Sequence, residues 1–537
     1  MNQPNDSNTG GPAGQGRFLC LPACLALGGI LVAGYVAGAA IAGEIGFPLD
    51  DAWIHQTYAR NLAQTGRWEY VPGQLSAGST APLWTLVLGL GYRLGLPFQA
   101  WAWGLGAVLL GLSAWLAGRL AGILFPATPR VGTITLLLFL TEWHLVWAAA
   151  SGMESLLMIS LTLMLLRWLA GGRQGNTSRW RFAIQWLGLG LLSGLLVLTR
   201  PDGLLLVGLV WGSAGLAAWA GQRDLRTVAW AGLLASVALV TVLAPYLAFN
   251  LRVSGRWWPN TLYAKQAEYS ALLVRPLGDR LLQVLLPPIT GCVLLLLPGA
   301  LLAGSGACVA LIRQWRTSVV SGRMLTRVVL LLYPLAHLVL YAARLPTTYQ
   351  HGRYLFPAIP PLLILGVGGS AAWLRANHPR FWPRVMGRSL AGAWVAVSAV
   401  FLLLGGQAYG RDVQVIQGEM VAAGSWLAEH TEPGDLVAAH DIGAIGYYAG
   451  RPLLDLAGLL SPEVIPLLTD EAALSQHVLD SSAAYLVTAP GWPYRRVTGR
   501  PDVQLVYQTE SRWTKAARLE SSAVYRLPEP GPERVER

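Results

Sequence analysis

Residues 18–54 read FLCLPACLALGGILVAGYVAGAAIAGEIGFPLDDAWI, and this stretch decides the fold. The apolar run from Phe18 to Ile45 is long enough to cross about 30 Å of hydrocarbon as a helix. Two adjacent carboxylates, Asp50 and Asp51, follow shortly after the run ends. Carboxylates are costly in hydrocarbon and are found where water, a metal or a reacting proton meets them. The stretch therefore predicts a first membrane span that opens onto a polar site at the membrane surface.

Apolar runs recur along the chain as far as residue 406. Of the 537 residues, 54% are hydrophobic and only 12% are charged, which is too apolar for a water-soluble protein. The sequence therefore predicts a polytopic α-helical membrane protein embedded in a lipid bilayer. The candidate spans are residues 18–44, 81–96, 101–122, 131–150, 153–170, 183–199, 203–220, 228–249, 281–312, 328–343, 354–373 and 389–406.

Three regions of different composition mark the domain organisation. Residues 1–17 are rich in Asn, Gly and Pro and are predicted to form a disordered cytoplasmic tail. Residues 18–408 form the predicted transmembrane domain, in which the polar and aromatic segment 46–80 is an external loop at the membrane interface. Residues 409–537 have the composition of a soluble domain, and their alternating strand-like and helix-like pieces predict a small α/β fold.

The distribution of charge predicts the orientation. The whole chain carries a net charge of +11, but residues 409–537 hold 17 acids against 11 bases, so the positive charge belongs to the membrane part. Its arginines cluster in loops at residues 173–181, 223–226, 313–327 and 375–388. By the positive-inside rule these loops are cytoplasmic, which places the segment 46–80 and the C-terminal domain on the extracytoplasmic side of the cell (plasma or inner) membrane. Nucleic acid is therefore excluded as the explanation of the basic pI.

The number of spans follows from the positions of the two ends. A cytoplasmic N-terminus and an external C-terminal domain require an odd number, so we expect about 12–13 spans, with thirteen favoured by the orientation. The span that makes the count uncertain is expected in residues 131–152, because Glu142 and His144 interrupt an otherwise apolar stretch. Broken helices are tolerated at membrane depth where protein buries them.

Several polar motifs fall on the predicted outer side. They are Asp50-Asp51, Ser-Gly-Met-Glu at 151–154, Thr-Arg-Pro-Asp-Gly at 199–203, the stretch 257–265 that ends at Lys265, and Gln-His-Gly-Arg-Tyr at 350–354. Paired carboxylates beside several cations suit an activated hydroxyl and an anionic leaving group. Lys265 stands out because the only other lysine is Lys515, against 37 arginines.

The order of the motifs resembles that of the GT-C glycosyltransferases. The matching stretches are Asp-Asp-Ala-Trp-Ile at 50–54, Tyr-Ala-Arg-Asn-Leu at 58–62, Ser-Thr-Ala-Pro-Leu-Trp at 79–84, the motifs at 151–154 and 199–203, Pro-Asn-Thr at 259–261 and His-Gly-Arg-Tyr at 351–354. Within that superfamily the chain is most similar to the group containing the mycobacterial terminal arabinofuranosyltransferase of cell-wall arabinan. The resemblance covers nearly the whole chain, including residues 441–447 and 455–459.

The resemblance implies a multi-span enzyme that works at the extracytoplasmic face. Such an enzyme moves a sugar, arabinofuranose or mannose among the candidates, from a polyprenyl-phosphate donor to a hydroxyl of a cell-envelope glycan or glycolipid acceptor. The reaction inverts the anomeric carbon, and an acidic residue of the first external loop is the base. Carried over by motif, that base is Asp50 or Asp51. Asp50 is slightly favoured, with Asp51 orienting the acceptor or a divalent ion.

The same resemblance assigns further residues to the site. The leaving lipid phosphate needs cationic donors, for which the candidates are Arg200, Lys265 and Arg353. Tyr263 and His351 are their expected hydrogen-bonding neighbours. The other predicted cavity residues are Glu154, Asp202 and Asn260.

No certain cofactor follows from the sequence. The four cysteines lie in apolar runs and suggest neither a disulfide framework nor a thiolate metal site. Some members of the superfamily use a divalent metal ion and others use none, so a divalent ion stays open here.

Other interpretations compete with the enzyme. Asp50-Asp51 could cap the helix that begins at Ala52, and Arg200 could reach lipid headgroups from a helix end. A secondary transporter or lipid flippase would place ionisable groups in mid-span and often show internal repeats, whereas here the conspicuous acids lie at the outer edge and no repeat is evident. A non-catalytic membrane scaffold is the remaining alternative, against which the intact polar motifs argue.

Overall fold

The computed structural model describes residues 19–171, 179–220, 224–315, 320–377 and 380–528, so the predicted tail 1–17 lies outside the described residues. Its helices, in chain order, are α1 Leu21–Ala42, α2 Asp51–Thr65, α3 Pro82–Arg93, α4 Phe98–Leu124, α5 Val131–Leu140, α6 Trp143–Ala150, α7 Ser155–Gly171, α8 Arg179–Thr199, α9 Gly203–Ala220, α10 Leu225–Ser254, α11 Asn260–Glu268, α12 Leu277–Ile289, α13 Cys292–Trp315, α14 Gly322–Arg344, α15 Tyr349–Gly352, α16 Ile359–Asn377, α17 Phe381–Ile416, α18 Ala422–His430, α19 Gly443–Tyr448, α20 Glu471–Asp480, α21 Arg495–Thr498 and α22 Arg512–Ala516.

The predicted polytopic membrane fold is confirmed, with fewer full-length spans than expected. In the described ranges eight helices are long and apolar enough to cross a membrane, or nine if the bent pair α5 and α6 forms one span. The sequence predicts 12–13 spans because it counts every apolar run. Residues 81–96, however, form only the 12-residue α3, which at about 1.5 Å per residue spans about 18 Å. The apolar helices α7 and α9 are also short.

The break predicted near Glu142 and His144 is present. The axes of α5 and α6 meet at 52° across it. Both side chains are buried there, and His144 Nδ1 lies 2.7 Å from Glu142 Oε1. His144 Nε2 is 2.9 Å from the carbonyl oxygen of Pro287. Because neighbouring protein satisfies these polar groups, the chain can bend inside an apolar environment.

The C-terminal α/β domain is also confirmed. Its strands are β1 Val437–Ala439, β2 Leu453–Asp455, β3 Tyr485–Thr488, β4 Gln504–Gln508 and β5 Ala523–Arg526. They form one sheet in the order β2-β1-β3-β5-β4, with β1 parallel to β2 and β3, and β5 antiparallel to both of its neighbours. All five strands overlap the strand-like pieces of the sequence, at residues 435–439, 453–456, 483–488, 503–507 and 523–527.

A continuous helical rod connects the two domains. Residues 381–430 pass from α17 through a π-helical turn, Gln417–Val421, into α18. This rod crosses the predicted domain border between residues 408 and 409. The helix α2, in the segment 46–80, packs on the other side of the domain. Arg60 Nη1 of α2 donates to the carbonyl oxygen of Tyr447 at 2.9 Å. The hydroxyl of Tyr70 donates to the carbonyl oxygen of Ile442 at 2.5 Å.

The predicted outer motifs share one end of the helix bundle. Helix α8 begins at Arg179 and ends beside Arg200, so Arg179 and Arg181 of the Arg-rich stretch lie at the opposite end of the helix from that motif. Helix α14 likewise begins at Gly322 and ends at Arg344, close to the motif at 350–354. The assignment of this end to the extracytoplasmic side stays a prediction.

Candidate functional site

The Asp51 side chain lies where three separate segments meet. It begins α2, and its Oδ2 atom is 3.0 Å from Lys265 Nζ in the last turn of α11. The Arg353 guanidinium donates to the same oxygen through Nη2. The hydroxyl of Tyr354 lies 3.2 Å from Lys265 Nζ and 3.4 Å from Arg353 Nη2. We call these four residues the Asp51 cluster.

Arg353 retains donors that could bind a further anion. Its side chain is only 7% exposed, yet Nε and Nη1 have no hydrogen-bond partner among the described residues. A buried donor without a partner costs free energy, and more so when it belongs to a charged group. The guanidinium therefore lies in an environment that an incoming phosphate or carboxylate would complete.

A strained turn sets the position of Arg353. The three residues before it, Gln350, His351 and Gly352, have φ angles of 47°, 61° and 73°. The left-handed region is uncommon for residues other than glycine, and such strain persists only where the surroundings hold it. His351 is held by Asp412 of α17, whose Oδ2 lies 2.8 Å from its Nε2 and 3.0 Å from Nε1 of Trp147.

Opposite charges shift the pKa values inside the cluster. Burial alone would raise the pKa of Asp51, but Lys265 and Arg353 hold it well below its usual value. Burial alone would lower the pKa of Lys265, but the Asp51 carboxylate holds it above the usual value. All three groups are therefore charged near neutral pH while they remain together.

Asp50 has different partners from Asp51. Its Oδ2 accepts from the backbone N–H of Gly443 and its Oδ1 from that of Ala444, each at 2.7 Å. These N–H groups belong to the first turn of α19, where a carboxylate satisfies donors that the helix itself leaves free. A Cβ atom at residue 443 would overlap Asp50. The contact therefore attaches the C-terminal domain to the start of α2.

The pKa of Asp50 moves in the opposite direction from that of Asp51. Burial and the nearby Asp441 carboxylate raise it to about 8, against the effect of the two backbone N–H groups. A pKa near 8 would suit a general base, but a base must first be within reach of its proton. Both carboxylate oxygens of Asp50 accept hydrogen bonds from α19, so the geometry favours Asp51 as the candidate base.

Arg200 forms a second cluster with acidic partners. Its Nε is 3.1 Å from Asp202 Oδ1 and its Nη1 is 3.1 Å from Glu154 Oε1. Its Nη2 donates to the hydroxyl of Tyr341 at 2.7 Å, and that hydroxyl donates to Asp202 Oδ2 at 2.7 Å. His55 Nε2 approaches Glu154 Oε2 at 3.6 Å. We call Arg200, Asp202, Glu154 and Tyr341 the Arg200 cluster.

Tyr354 lies between the two clusters. Its ring stacks on that of Tyr341 with centroids 5.3 Å apart, and the guanidinium carbon of Arg200 is 5.4 Å from its centroid. Its hydroxyl faces Lys265 and Arg353 instead. The two clusters are thus neighbouring parts of one polar site.

The remaining predicted site residues have other contacts. Tyr263 packs with the hydrophobic residues between α2 and the C-terminal domain, and the Arg256 guanidinium lies 4.7 Å from its ring centroid. Asn260 begins α11, and its backbone N–H donates to the carbonyl oxygen of Ala77 at 2.9 Å. Asn260 therefore joins the segment 46–80 to α11, the helix that carries Lys265.

Sequence analysis missed several residues of the site. Tyr354 and Tyr341 carry no charge and were not assigned roles, although Tyr354 directly follows the predicted Arg353. His337, a buried histidine of α14, lies 3.7 Å from Asp202 Oδ2 and 2.9 Å from the carbonyl oxygen of Tyr354. Asp441 follows a strand of the C-terminal domain, at the end where ligands often bind, and its local sequence does not show that it lies near Asp50.

The divalent metal ion that the sequence leaves open has no evident ligand set among the described residues. Within the part of the chain that the structure describes, no group of three or more His, Cys, Asp or Glu side chains could hold a metal ion. The divalent ion therefore stays an open prediction.

Solved structures of similar fold share the predicted architecture. ArnT from Cupriavidus metallidurans bound to undecaprenyl phosphate matches with a TM-score of 0.55 at 15% identity, over 94% of this chain and 98% of that one. The archaeal oligosaccharyltransferase AglB from Archaeoglobus fulgidus, in complex with an inhibitory peptide and a dolichol-phosphate, matches with a TM-score of 0.57 at 11% identity, over 87% of this chain and 69% of that one.

The predicted mycobacterial relationship is one of several. Arabinofuranosyltransferase AftD from Mycobacteria matches with a TM-score of 0.51 at 15% identity, over 96% of this chain but only 42% of that one. At such identities the comparisons establish the fold alone, a polytopic helical membrane fold that this chain shares with ArnT, AglB and AftD. These comparisons do not distinguish the terminal arabinofuranosyltransferase group from the other proteins of similar fold.

The C-terminal region also matches a family model. Residues 408–535 match a domain of unknown function (DUF8728). No curated protein sequence matches the chain.

Proposed function

We propose that the protein is an integral-membrane glycosyltransferase that moves a sugar from a polyprenyl-phosphate donor to a hydroxyl of a cell-envelope glycan or glycolipid. The observation that carries this proposal is the Asp51 cluster, in which one carboxylate and two cations from three separate segments converge. The fold it shares with ArnT bound to undecaprenyl phosphate supports the choice of donor.

The donor phosphate would bind Lys265 and Arg353. Both cations are nearly buried, and Arg353 has two nitrogens without partners among the described residues. A phosphate gains negative charge as its bond to the sugar breaks, so fixed cations stabilise the transition state more than the ground state. The hydroxyl of Tyr354, within 3.4 Å of both cations, would help to position the phosphate.

Asp51 would then act as the general base. In the free protein Lys265 and Arg353 keep its pKa low, which makes it a weak proton acceptor. A phosphate bound to the same cations would compensate their charge, so the pKa of Asp51 would rise when the donor is present. We therefore prefer Asp51 to Asp50, which reverses the preference drawn from the sequence.

The proposed reaction is a single displacement. The acceptor oxygen attacks the anomeric carbon, and its proton passes to Asp51. The bond between that carbon and the phosphate oxygen breaks, with the electron pair leaving on the polyprenyl phosphate. Attack opposite the leaving group inverts the anomeric carbon, and no nucleotide takes part. The Arg200 cluster would fix the stacked Tyr341 and Tyr354 rings beside the reacting groups.

The finer assignments belong to the same proposal. The site would face the extracytoplasmic side, as the arginine-rich loops predict. Arabinofuranose is the first sugar to test, because AftD from Mycobacteria is named an arabinofuranosyltransferase; mannose follows.

The direct test is release of free polyprenyl phosphate by the purified protein in lipid nanodiscs. Polyprenyl-phosphate arabinofuranose, mannose and galactose would each be supplied with a membrane glycan extract. We expect turnover with one donor, and loss of turnover in Lys265→Met. The matched control is Lys515→Met, the other lysine of the chain, which is exposed on α22 of the C-terminal domain.

Transport is the alternative outcome. A flippase would move a labelled polyprenyl-phosphate sugar across a sealed vesicle without consuming it. If no donor is turned over while lipid movement persists, the glycosyltransferase proposal is wrong.

A further inference from the structure

A cavity of about 330 Å³ lies in the C-terminal domain, beyond the residues used above. It is lined by residues of the π-helical turn, of the ends of β1 and β3, and of the loop before β5. Its volume is within the range of about 300–1,000 Å³ that small-molecule sites occupy. The lining includes Trp492 and three carboxylate residues, namely Glu419, Asp441 and Glu520.

The topology of the sheet places this cavity where ligands usually bind. From β1 the chain goes to β2 on one side, and from β2 it returns through α20 to β3 on the other side of β1. Asp441 follows β1 and Ala489 follows β3, and both line the cavity. In α/β domains the crevice at the carboxyl ends of two such parallel strands is the common binding position.

Two buried polar atoms at the cavity have no partner. Glu419 is 2% exposed and Thr514 is fully buried, and both line the cavity. Glu419 Oε2 accepts from the backbone N–H of Ser522 at 2.6 Å, but Glu419 Oε1 and Thr514 Oγ1 have no hydrogen-bond partner among the described residues. Such atoms are costly unless a ligand or an ordered water satisfies them.

The π-helical turn Gln417–Val421 carries Glu419. Short π-helical insertions within α-helices are rare and occur frequently at functional sites. Here the insertion occurs inside a 50-residue rod of otherwise α-helical geometry.

The charged residues that line the cavity determine which kind of ligand could bind there. Three carboxylates face one arginine, Arg518, so an anionic ligand such as a phosphate would be repelled. Carboxylate and hydroxyl oxygens accept hydrogen bonds from the hydroxyls of a neutral sugar. An indole such as that of Trp492 offers an apolar face on which a sugar ring can pack.

We propose that this cavity binds a neutral sugar residue of the acceptor glycan, next to the Asp51 cluster. The segment that runs from Asp441 into α19 borders both sites, since Asp441 and Ile445 line the cavity while the backbone N–H groups of Gly443 and Ala444 donate to Asp50, the neighbour of Asp51. This inference rests on the proposed function for the identity of its ligand as an acceptor. The cavity would hold one part of the glycan while another part reaches Asp51.

Binding without a donor tests the cavity independently of catalysis. The full-length protein in nanodiscs would be titrated calorimetrically with neutral arabinofuranosyl and mannosyl tetrasaccharides, and with an anionic galacturonic acid tetramer. We expect a neutral probe to bind and the anionic one to fail. Trp492→Ala should weaken binding at least tenfold, and Thr514→Val, which keeps the side-chain shape, about threefold or more. Trp513→Ala, a tryptophan outside the cavity lining, is the matched control.

The outcomes separate the two proposals. If a neutral probe binds in a Trp492-dependent way but no donor is turned over, the cavity is a carbohydrate site and the transferase proposal fails. If a donor is turned over while Trp492→Ala and Thr514→Val leave both probe binding and the acceptor KM unchanged, the cavity proposal is overturned. Folding of each variant would be checked by its Tm and by polyprenyl phosphate binding, which should match wild type.

Discussion

The two polar clusters of the site contain similar residues but carry opposite charge. The Asp51 cluster has two cations for one carboxylate, whereas the Arg200 cluster has one cation for two carboxylates. Arg353 has nitrogens without partners among the described residues, while each nitrogen group of Arg200 has a partner. An arginine in a membrane motif is therefore not by itself a phosphate site. Where neighbouring carboxylates neutralise its positive charge and occupy its donors, it has little attraction for a phosphate.

The largest expected effect is on catalysis in Asp51→Asn. General base catalysis contributes about 10²–10⁴-fold to rate. Release of polyprenyl phosphate should therefore fall at least about 100-fold, while affinity for polyprenyl phosphate holds or rises, because a competing carboxylate is removed. Full activity in Asp51→Asn would exclude Asp51 as the base.

The next effect is on stability, in Arg200→Met. Removing this cation leaves Glu154 and Asp202 buried without their main partner, and breaking such a pair costs about 3–5 kcal/mol. The Tm should fall, and Arg200→Met combined with Asp202→Asn should recover part of the loss. Affinity for polyprenyl phosphate, measured in the folded protein, should change by less than about threefold.

A contrary result at Arg200 would erase the contrast between the clusters. If Arg200→Met kept its Tm but no longer bound polyprenyl phosphate, Arg200 would be a phosphate ligand, as the sequence predicts.

A smaller effect is expected on donor affinity in Lys265→Met. A hydrogen bond to a charged group contributes about 1.5–3 kcal/mol, which corresponds to roughly 10–100-fold in Kd. Binding of polyprenyl phosphate by the nanodisc-embedded protein would measure it. Unchanged affinity in Lys265→Met would remove this lysine from the phosphate site.

The last effect, which is the smallest per pH unit, is the pH dependence of stability conferred by Asp50. Its pKa is raised to about 8 in the folded protein by burial and by the charges of Asp441 and Asp51. The folded state therefore binds more protons than the unfolded state between about pH 4 and pH 8. This contribution to stability is full below pH 4 and is lost as the pH rises towards 8, by at most about 1.4 kcal/mol per pH unit.

Thermal unfolding from pH 5 to pH 8 would measure that slope. Relative to Asp50→Asn, the wild-type Tm should decline as the pH rises. Asp502→Asn, which alters an exposed carboxylate whose pKa is lowered by Arg500, should keep the wild-type slope. Parallel curves for wild type and Asp50→Asn would show that Asp50 does not titrate in this range.

Sequence patterns predict the membrane fold, the break at Glu142 and His144 and the five strands, because hydrophobic periodicity and composition carry that information locally. They also predict Asp51, Lys265 and Arg353 as site residues, and the structure brings these three side chains together. They do not separate Asp50 from Asp51, since adjacent residues of one helix start differ only in which distant segment each contacts. The partners of Asp50 lie 393 and 394 residues away, and no local pattern reports them.

The rod from α17 to α18 has a consequence for how a long lipid could reach the site. The C-terminal domain is held by this continuous helix and, separately, by the Asp50 contact at the start of α2. Because the connecting helix is unbroken, the domain lacks the loose linker on which a lid would swing aside. A membrane-borne donor would then have to arrive and depart laterally, by diffusion within the bilayer leaflet, while the acceptor approaches from the aqueous side.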